Sequence, residues 1–530
     1  MSAKDPPMPR APDGVDVMLL LEGTFPYVRG GVSSWVNQIV RGFPELRFGA
    51  IFLGSRSSDY DGMKYPLPDN LVHLEVHYLH DRRTNAEFDL AQADPGRGRV
   101  VPADVELMAR THDTLRTARD QKQRDPDDLK RLMRELMARM HGDASDHAAM
   151  SEHRFLYGAS SWDYITAQYR ERCTDPSFVD YFWTVRIMHA PIWHLARIAD
   201  AAPPARAYHS ISTGYAGFLG AYLRSKTGKP FLLSEHGIYT KERKIDLFQS
   251  EWIADNRGIF ERDSARLSYF RELWIRFFES LGQLCYACSD RIVALYETNR
   301  LRQIADGAPA ERTQNIPNGI DLPRLSRVRA TRDGANDPPP VACLIGRVVP
   351  IKDIKTFVRA MRSVVNHMPH AQGWIAGPED EDPAYARECR AIVEGLGLTE
   401  HVKFLGFQNI DTLLPKIGLN VLSSISEALP LVLLEGFAAG VPAVATDVGS
   451  CGQLIHGLDA EDRALGSAGA LVQIADPQAL GAAIVALLGD GQRWRQAQAA
   501  GLARVERYYT QERMFASYRA LYEEALAWPA

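Results

Sequence analysis

Two carboxylates and two cations in the second half of the chain have the spacing and setting of a ligand site. Glu427 and Glu435 stand as E-x7-E within SISEALPLVLLEGFAAGVP, residues 424–442. Glu427 falls in a loop, Pro430 suits the first turn of the helix that follows, and Gly440 with Pro442 stops that helix. Carboxylates beside a helix N-terminus suit a polyol, whose hydroxyls need acceptors, while the helix end itself suits a phosphate. The plainer alternatives are an acid that complements the helix dipole and a surface Glu435. Against the second, Glu435 lies between Leu434 and Phe437 in an apolar helix and is expected to be buried and paired. The cations are Arg347 and Lys352 in LIGRVVPIKD, residues 344–353, a loop between a strand and a helix start. A glycine, two positive side chains and a helix end can converge on a phosphate; a solvated basic loop is the alternative.

The first half carries weaker signals. Glu235 and His236 end a strand in LLSEHGIY. A histidine there can donate to a sugar hydroxyl or a phosphate, or shuttle a proton; a satisfied structural histidine explains it equally. In EGTFPYVRGGVSSW the pair Gly30-Gly31 precedes a helix expected from Ser33 or Ser34. The pair suits either a tight turn or a close approach of backbone to a ligand. TDVGSCGQ, with Gly449, is a glycine-rich loop that can offer amides to an oxyanion. Asn318-Gly319 in IPNGID reads as a turn with positive φ. Asp59 and Asp61, and the acidic run Glu379–Asp382, are weak candidates for a hydrated metal. No G-x-G-x-x-G joins a strand to a helix, which argues against a nicotinamide or flavin site, and no Walker loop occurs. Six scattered cysteines imply reduced thiols, with Cys285 and Cys288 packed at a helix end.

These residues need strands to hold them. VDVMLLL, a helix from SSWVNQIVRG and FGAIFLG form a βαβ unit and imply a parallel sheet. Charged helices between about residues 80 and 153 interrupt it, with Leu129, Leu132, Met133, Leu136 and Met137 on one stripe. They are read as a helical insertion that covers part of the first domain, a partner-docking surface being the alternative. The pattern resumes with RAYHSIS, PFLLSEHG and DRIVALYE. Residues 262–285 read as a helix apolar nearly all round, hence buried, with a membrane-contacting face as the alternative. RATRDGANDPPP reads as a linker. After it VACLIG, GWIAG, VKFLG, LNVLSS and VPAVATD alternate with helices. The expected fold is α/β, with two doubly wound Rossmann-like domains facing each other across a cleft. The boundaries are 1–325 and 338–510, and a final helix, 511–530, packs back on the first domain. Ligands in such sheets sit beyond the carboxyl ends of strands.

A chain of 530 residues exceeds a single core. A net charge of −5 supplies no basic field, which argues against nucleic acid. No apolar run reaches the roughly 18–20 residues of a membrane span, and Glu22 closes VDVMLLL too early for a signal peptide. The chain reads as cytoplasmic, with a flexible polar start of roughly a dozen residues.

Taken in order, Gly30-Gly31, PNGID, GRVVPIK and E-x7-E resemble the retaining nucleotide-sugar glycosyltransferases of family 4, which have the GT-B fold. The resemblance implies that Arg347 and Lys352 hold the donor diphosphate and stabilise its departure. It implies that Glu427 binds donor-sugar hydroxyls, Glu435 the ribose, and His236 the sugar near its anomeric carbon. Gly30 and Gly31 would lie against the sugar phosphate, with Gly449 also on the donor side. Gln453 stands where family members often have a glutamate, which puts its role in doubt. The donor is expected to be a UDP-sugar and the acceptor a saccharide, with no cofactor or metal. The finer pattern of LLLEGTFPYVRGGVSSWV, the insertion and LLSEHGIYTKER resembles glycosyltransferases of Pel exopolysaccharide synthesis, a biofilm-matrix polymer. That implies inner-membrane synthase and export proteins as partners, and a peripheral membrane location through them. A nucleotide-sugar 2-epimerase of the same fold and a non-catalytic scaffold for a membrane synthase stay open as alternatives.

Overall fold

In the computed structural model, residues 8–81, 102–116, 125–140, 152–249, 253, 268–332 and 338–528 are described. The extreme N-terminus, most of the polar segment after His80, residues 262–267 and part of the expected linker lie outside them.

The first sheet contains β1 (Val15–Glu22), β2 (Phe48–Gly54), β3 (Leu71–Tyr78), β4 (Ala205–Ser210), β5 (Phe231–Glu235), β6 (Arg291–Ala294) and β7 (Thr313–Asn315). All pairings are parallel, in the order β3-β2-β1-β4-β5-β6-β7. Every residue of β2 is buried, as a strand covered on both faces requires. Connections run outward from β1 through β2 to β3 on one side and from β4 to β7 on the other. The strand order therefore reverses between β1 and β4. The loop holding Gly30-Gly31 leaves β1 at this switch point.

The helical stripe behaves largely as its spacing predicts. Leu129, Leu132, Met133 and Leu136 are buried in the core of this half, and Met137 packs partly against it. Helix Tyr269–Cys288 is buried along most of its length, so its apolar face is core, and Cys285 and Cys288 are free thiols within it. Helix Phe178–Ala201 joins the same core but leaves Val179, Trp183 and Ile187 exposed. No helix among the described residues is long and apolar enough to cross a membrane.

The second sheet contains β8 (Val341–Ile345), β9 (Gln372–Ala376), β10 (Val402–Gly406), β11 (Leu419–Leu422), β12 (Ala443–Thr446) and β13 (Gly469–Val472). It is also all parallel, ordered β10-β9-β8-β11-β12-β13, with its switch point between β8 and β11. Helices Ile354–His367 and Pro477–Leu488 pack on it.

The chain divides into two compact units, Met1–Asn315 with Arg519–Ala530, and Ile316–Tyr518. The last turns of helix Gln511–Leu526 thus belong to the first unit. There Tyr522 meets His209 at 2.9 Å from hydroxyl to Nδ1, and Arg519 and Glu524 pair with Glu45 and Arg291.

Three expectations are corrected. The first helix begins at Gly31, not Ser33 or Ser34, with Gly30 as its N-cap. Pro430 is the N-cap of helix Leu431–Ala438 and not part of its first turn. Neither Asn318 nor Gly319 has positive φ. Gly319 is needed for a different reason: a Cβ there would lie 2.4 Å from the carbonyl oxygen of Thr510.

Candidate functional site

The switch point of the second sheet brings together the loops after β8 and β11. Lys352, in the first, donates to Glu427 Oε1, in the second, at 2.5 Å, and Ser424 Oγ donates to the same oxygen at 2.6 Å. The side chains of Lys352 and Glu427 are 20% and 13% exposed, enough to meet a ligand while screened from bulk water. Backbone contacts lock the loops together. Ile425 N–H donates to Ile351 O, Ser423 Oγ to the carbonyls of Lys352 and Asp353, and Thr446 Oγ1 to Ser424 O. Asp353, at φ 44°, turns the chain and caps helix Ile354–His367 through Thr356 N–H.

Gly449 clamps Glu427 from the other side. Its φ is +56°, and a Cβ there would lie 2.2 Å from the carbonyl oxygen of Glu427. Neighbouring amides are already used: Asp447, Val448, Ser450 and Cys451 donate to backbone carbonyls. The loop is therefore a close-packed wall behind Glu427, with most of its amides unavailable to an anion. Gln453 Nε2 donates to the Tyr509 hydroxyl at 2.9 Å, which gives that departure from the family pattern a structural role.

Helix Leu431–Ala438 starts immediately after the Glu427 loop. No side chain caps it and no acid stands in its first turn; Leu433 N–H donates to Pro430 O, which leaves the N–H groups of Leu431 and Val432 open to an anion among the described residues. Asn420, fully buried in β11, anchors this helix by donating to Val432 O at 2.7 Å. The helix carries Glu435 to Arg324, 3.4 Å away, while Asp411 lies 3.8 Å from the same guanidinium. Burial pushes the Glu435 carboxyl up to about 7; Arg324 opposes that shift and Asp411 adds to it. The expected pairing of Glu435 is present, with a partner far off in sequence.

Arg347 stands on the same β8 loop, half exposed, and its guanidinium bonds both carboxylate oxygens of Glu381 at 2.6 Å. Three of the four acids of the run are spent on protein contacts. Glu379 pairs with Arg390, and Asp382 caps Tyr385 N–H. Asp59 accepts from Arg56 N–H, and Asp61 pairs with Lys64. Among the described residues no group of three or more potential ligands is placed to hold a metal.

In the first unit, the helix that starts at Gly31 packs Trp35 edge-on against His236, ring centroids 4.5 Å apart. His236 is 7% exposed, and its buried Nε2 has no hydrogen-bond partner among the described residues. Burial pushes its imidazole down to about 3, so it is neutral at physiological pH. A neutral ring can donate from one nitrogen and accept at the other, and burial makes it a weak base. The residue before it is structural: Glu235 accepts from Thr213 Oγ1, Tyr239 N–H, the Tyr286 hydroxyl and Gln303 Nε2. Gly30 has extended backbone, and a Cβ on either Gly30 or Gly31 would meet no atom within 4 Å. A tight turn therefore does not explain the pair.

Sequence reasoning missed Ser424, Arg324, Glu381 and Glu22. Glu22 accepts from the Tyr239 hydroxyl at 2.6 Å and from Ala216 N–H at 3.1 Å, tying β1 to two helices. Ser424 and Glu381 lie inside segments already singled out; Arg324 gave no signal.

Comparison with known proteins follows the two halves. Residues 15–311 match the family described as Domain of unknown function (DUF3492), more than half of the chain. The chain belongs to the DUF3492 family. Beyond the DUF3492 region, residues 339–490 match the family described as Glycosyl transferases group 1. An exopolysaccharide phosphotransferase of Streptomyces coelicolor is 34% identical over 206 residues, 38% of this chain and 20% of that protein. A D-inositol 3-phosphate glycosyltransferase of Geodermatophilus obscurus is 29% identical, covering 45% of this chain and 54% of that one. The lipopolysaccharide core mannosyltransferase LpsB of Rhizobium meliloti is 30% identical, covering 40% and 60%. The chain thus spans at most about three fifths of these relatives. Among solved structures, Anabaena HepE, in complex with UDP and glucose, aligns with TM-score 0.53 and 15% identity over 96% of this chain and 99% of that one. Sucrose-phosphate synthase of Thermosynechococcus elongatus aligns with TM-score 0.54 and 17% identity, over 97% and 99%. These likenesses carry the fold: two parallel-sheet Rossmann-like domains of the GT-B kind.

Proposed function

We propose that this DUF3492 chain is a retaining, metal-independent glycosyltransferase that moves a sugar from a UDP-sugar to a growing exopolysaccharide. The observation that carries this reading is the Lys352–Glu427 contact at the β8/β11 switch point, within the segment that matches glycosyltransferases. A departing nucleoside diphosphate leaves as an anion. Lys352, Arg347 and the open N-terminus of helix Leu431–Ala438 can take that charge in fixed positions. Glu427, held by Ser424 and walled in by Gly449, accepts from hydroxyls of the donor sugar. Glu435 accepts from the ribose hydroxyls once ionised. The family resemblance assigns His236, whose Nε2 is without a partner among the described residues, to the sugar near its anomeric carbon. The family resemblance assigns Gly30 and Gly31 to the sugar phosphate. Loosening the glycosidic bond toward an oxocarbenium-like state lets an acceptor hydroxyl attack from the leaving-group face, which retains configuration.

The exopolysaccharide relative supports an exopolysaccharide as the acceptor, and the finer sequence pattern, which resembles that of PelF, supports a Pel-type polymer. Cytoplasmic placement beside inner-membrane synthase and export proteins goes with that reading. The test is UDP release and sugar transfer from a panel of UDP-sugars. Lys352→Ala and Glu427→Ala should each lower turnover by more than roughly 100-fold, the scale of one lost transition-state contact. Near-wild-type rates in both would remove the assignment.

A further inference from the structure

Arg347 is the more exposed of the two site cations, and it already holds an anion. Its Nη1 donates to both oxygens of Glu381 at 2.6 Å. Glu381 lies in the acidic run after β9, and it differs from the neighbours with structural duties. Glu379 is committed to Arg390 at 2.8 Å, and Asp382 to Tyr385 N–H at the start of helix Pro383–Gly395. Among the described residues Glu381 makes its polar contacts with Arg347 alone. The pairing is set up by backbone, not by the charges. Val348 N–H donates to Pro378 O at 2.9 Å, and a Cβ on Gly377 would lie 1.9 Å from Gly346 O. The loop after β9 is thus pressed onto the loop after β8, with the acid opposite the cation. The two side chains are 55% and 49% exposed, so water and salt reach the pair and it parts cheaply. Lys352 contrasts with it, since its partner Glu427 is 13% exposed and also bonded by Ser424.

A guanidinium presents one planar fork to carboxylate and phosphate alike. We propose that Glu381 is a built-in competitor for the diphosphate at Arg347, a residue that sets how much negative charge a ligand must bring to enter the site. This rests on the sugar-nucleotide reading of that site. A diphosphate displaces Glu381 from Arg347; a ligand without that charge leaves the internal pair intact.

The test is calorimetric titration of UDP into the full chain, its Glu381→Gln, Glu381→Asp and Arg347→Ala variants, and the Arg347→Ala/Glu381→Gln double variant. At low salt Glu381→Gln should bind UDP about two- to fivefold tighter, the range an exposed ion pair supplies. The gain should shrink as salt is added, be absent in Glu381→Asp, and vanish when Arg347 is already alanine. Unchanged or weaker binding by Glu381→Gln, with binding still dependent on Arg347, overturns the competitor and leaves the sugar-nucleotide reading standing. An equal gain in the Arg347→Ala background also overturns it, because the effect would then be a general change of charge. Absence of UDP binding, or binding indifferent to Arg347, overturns the site reading and the competitor together.

Discussion

Glu435 is a carboxyl whose ionisation the fold sets within reach of ordinary assay pH. Its folded value of about 7 lies above the ordinary 4.5 because burial disfavours the charge more than Arg324 favours it. Between those values the unfolded chain has lost the proton while the folded chain keeps it. The residue's contribution to stability therefore falls as pH rises through that window. On the proposed reading binding runs the other way, since ribose hydroxyls donate best to a carboxylate. The KM for a UDP-sugar, whose diphosphate keeps its charge here, should fall as pH rises from about 6 to 8. Glu435→Gln should flatten that dependence; an unchanged slope in the variant would detach Glu435 from the nucleotide. The candidate residues themselves were legible because a cation or an acid just after an apolar strand is unusual, as with Arg347, Lys352, Glu427 and His236. Their partners were not: Arg324 and Glu381 meet Glu435 and Arg347 only because the sheet folds distant segments together.

At the scale of elements, strands buried on both faces announced themselves as apolar runs. β3 did not, because LVHLEVHY alternates, placing His73, Glu75 and His77 on one face, where the histidines bond the carboxylate at 3.0 and 2.9 Å. β7, three residues long, was too short to show a pattern. Helix Phe178–Ala201 was hidden by Pro191 and by aromatic residues around its circumference. The first helix is an element whose start the proposed function uses. It starts at Gly31, where added side-chain atoms would meet nothing in the fold. Gly31→Val should therefore change stability by less than about 0.5 kcal/mol, as a surface substitution does. Its turnover should nevertheless fall by at least about tenfold, because the added side chain fills space a sugar phosphate needs. Thermal unfolding and initial rates on the same sample check both halves, and a folded, fully active variant would leave the glycine pair without a ligand role.

For the whole molecule, length and the restart of the strand–helix alternation were enough to call two doubly wound sheets. The strand orders could not be read from the sequence, because no local signal says which strands pair; yet they put GRVVPIK and the Glu427 loop side by side. The two families that match the two halves agree with this division. Specific ligand binding stabilises a folded chain by mass action, by about 2.7 kcal/mol at a hundred times Kd. The most direct measurement is therefore thermal unfolding of the full chain, wild type and Lys352→Ala, against a panel of nucleotide sugars. One or more UDP-sugars should raise the unfolding temperature of the wild type and leave that of Lys352→Ala where it was. No shift with any nucleotide sugar, or an equal shift in the variant, would contradict the account.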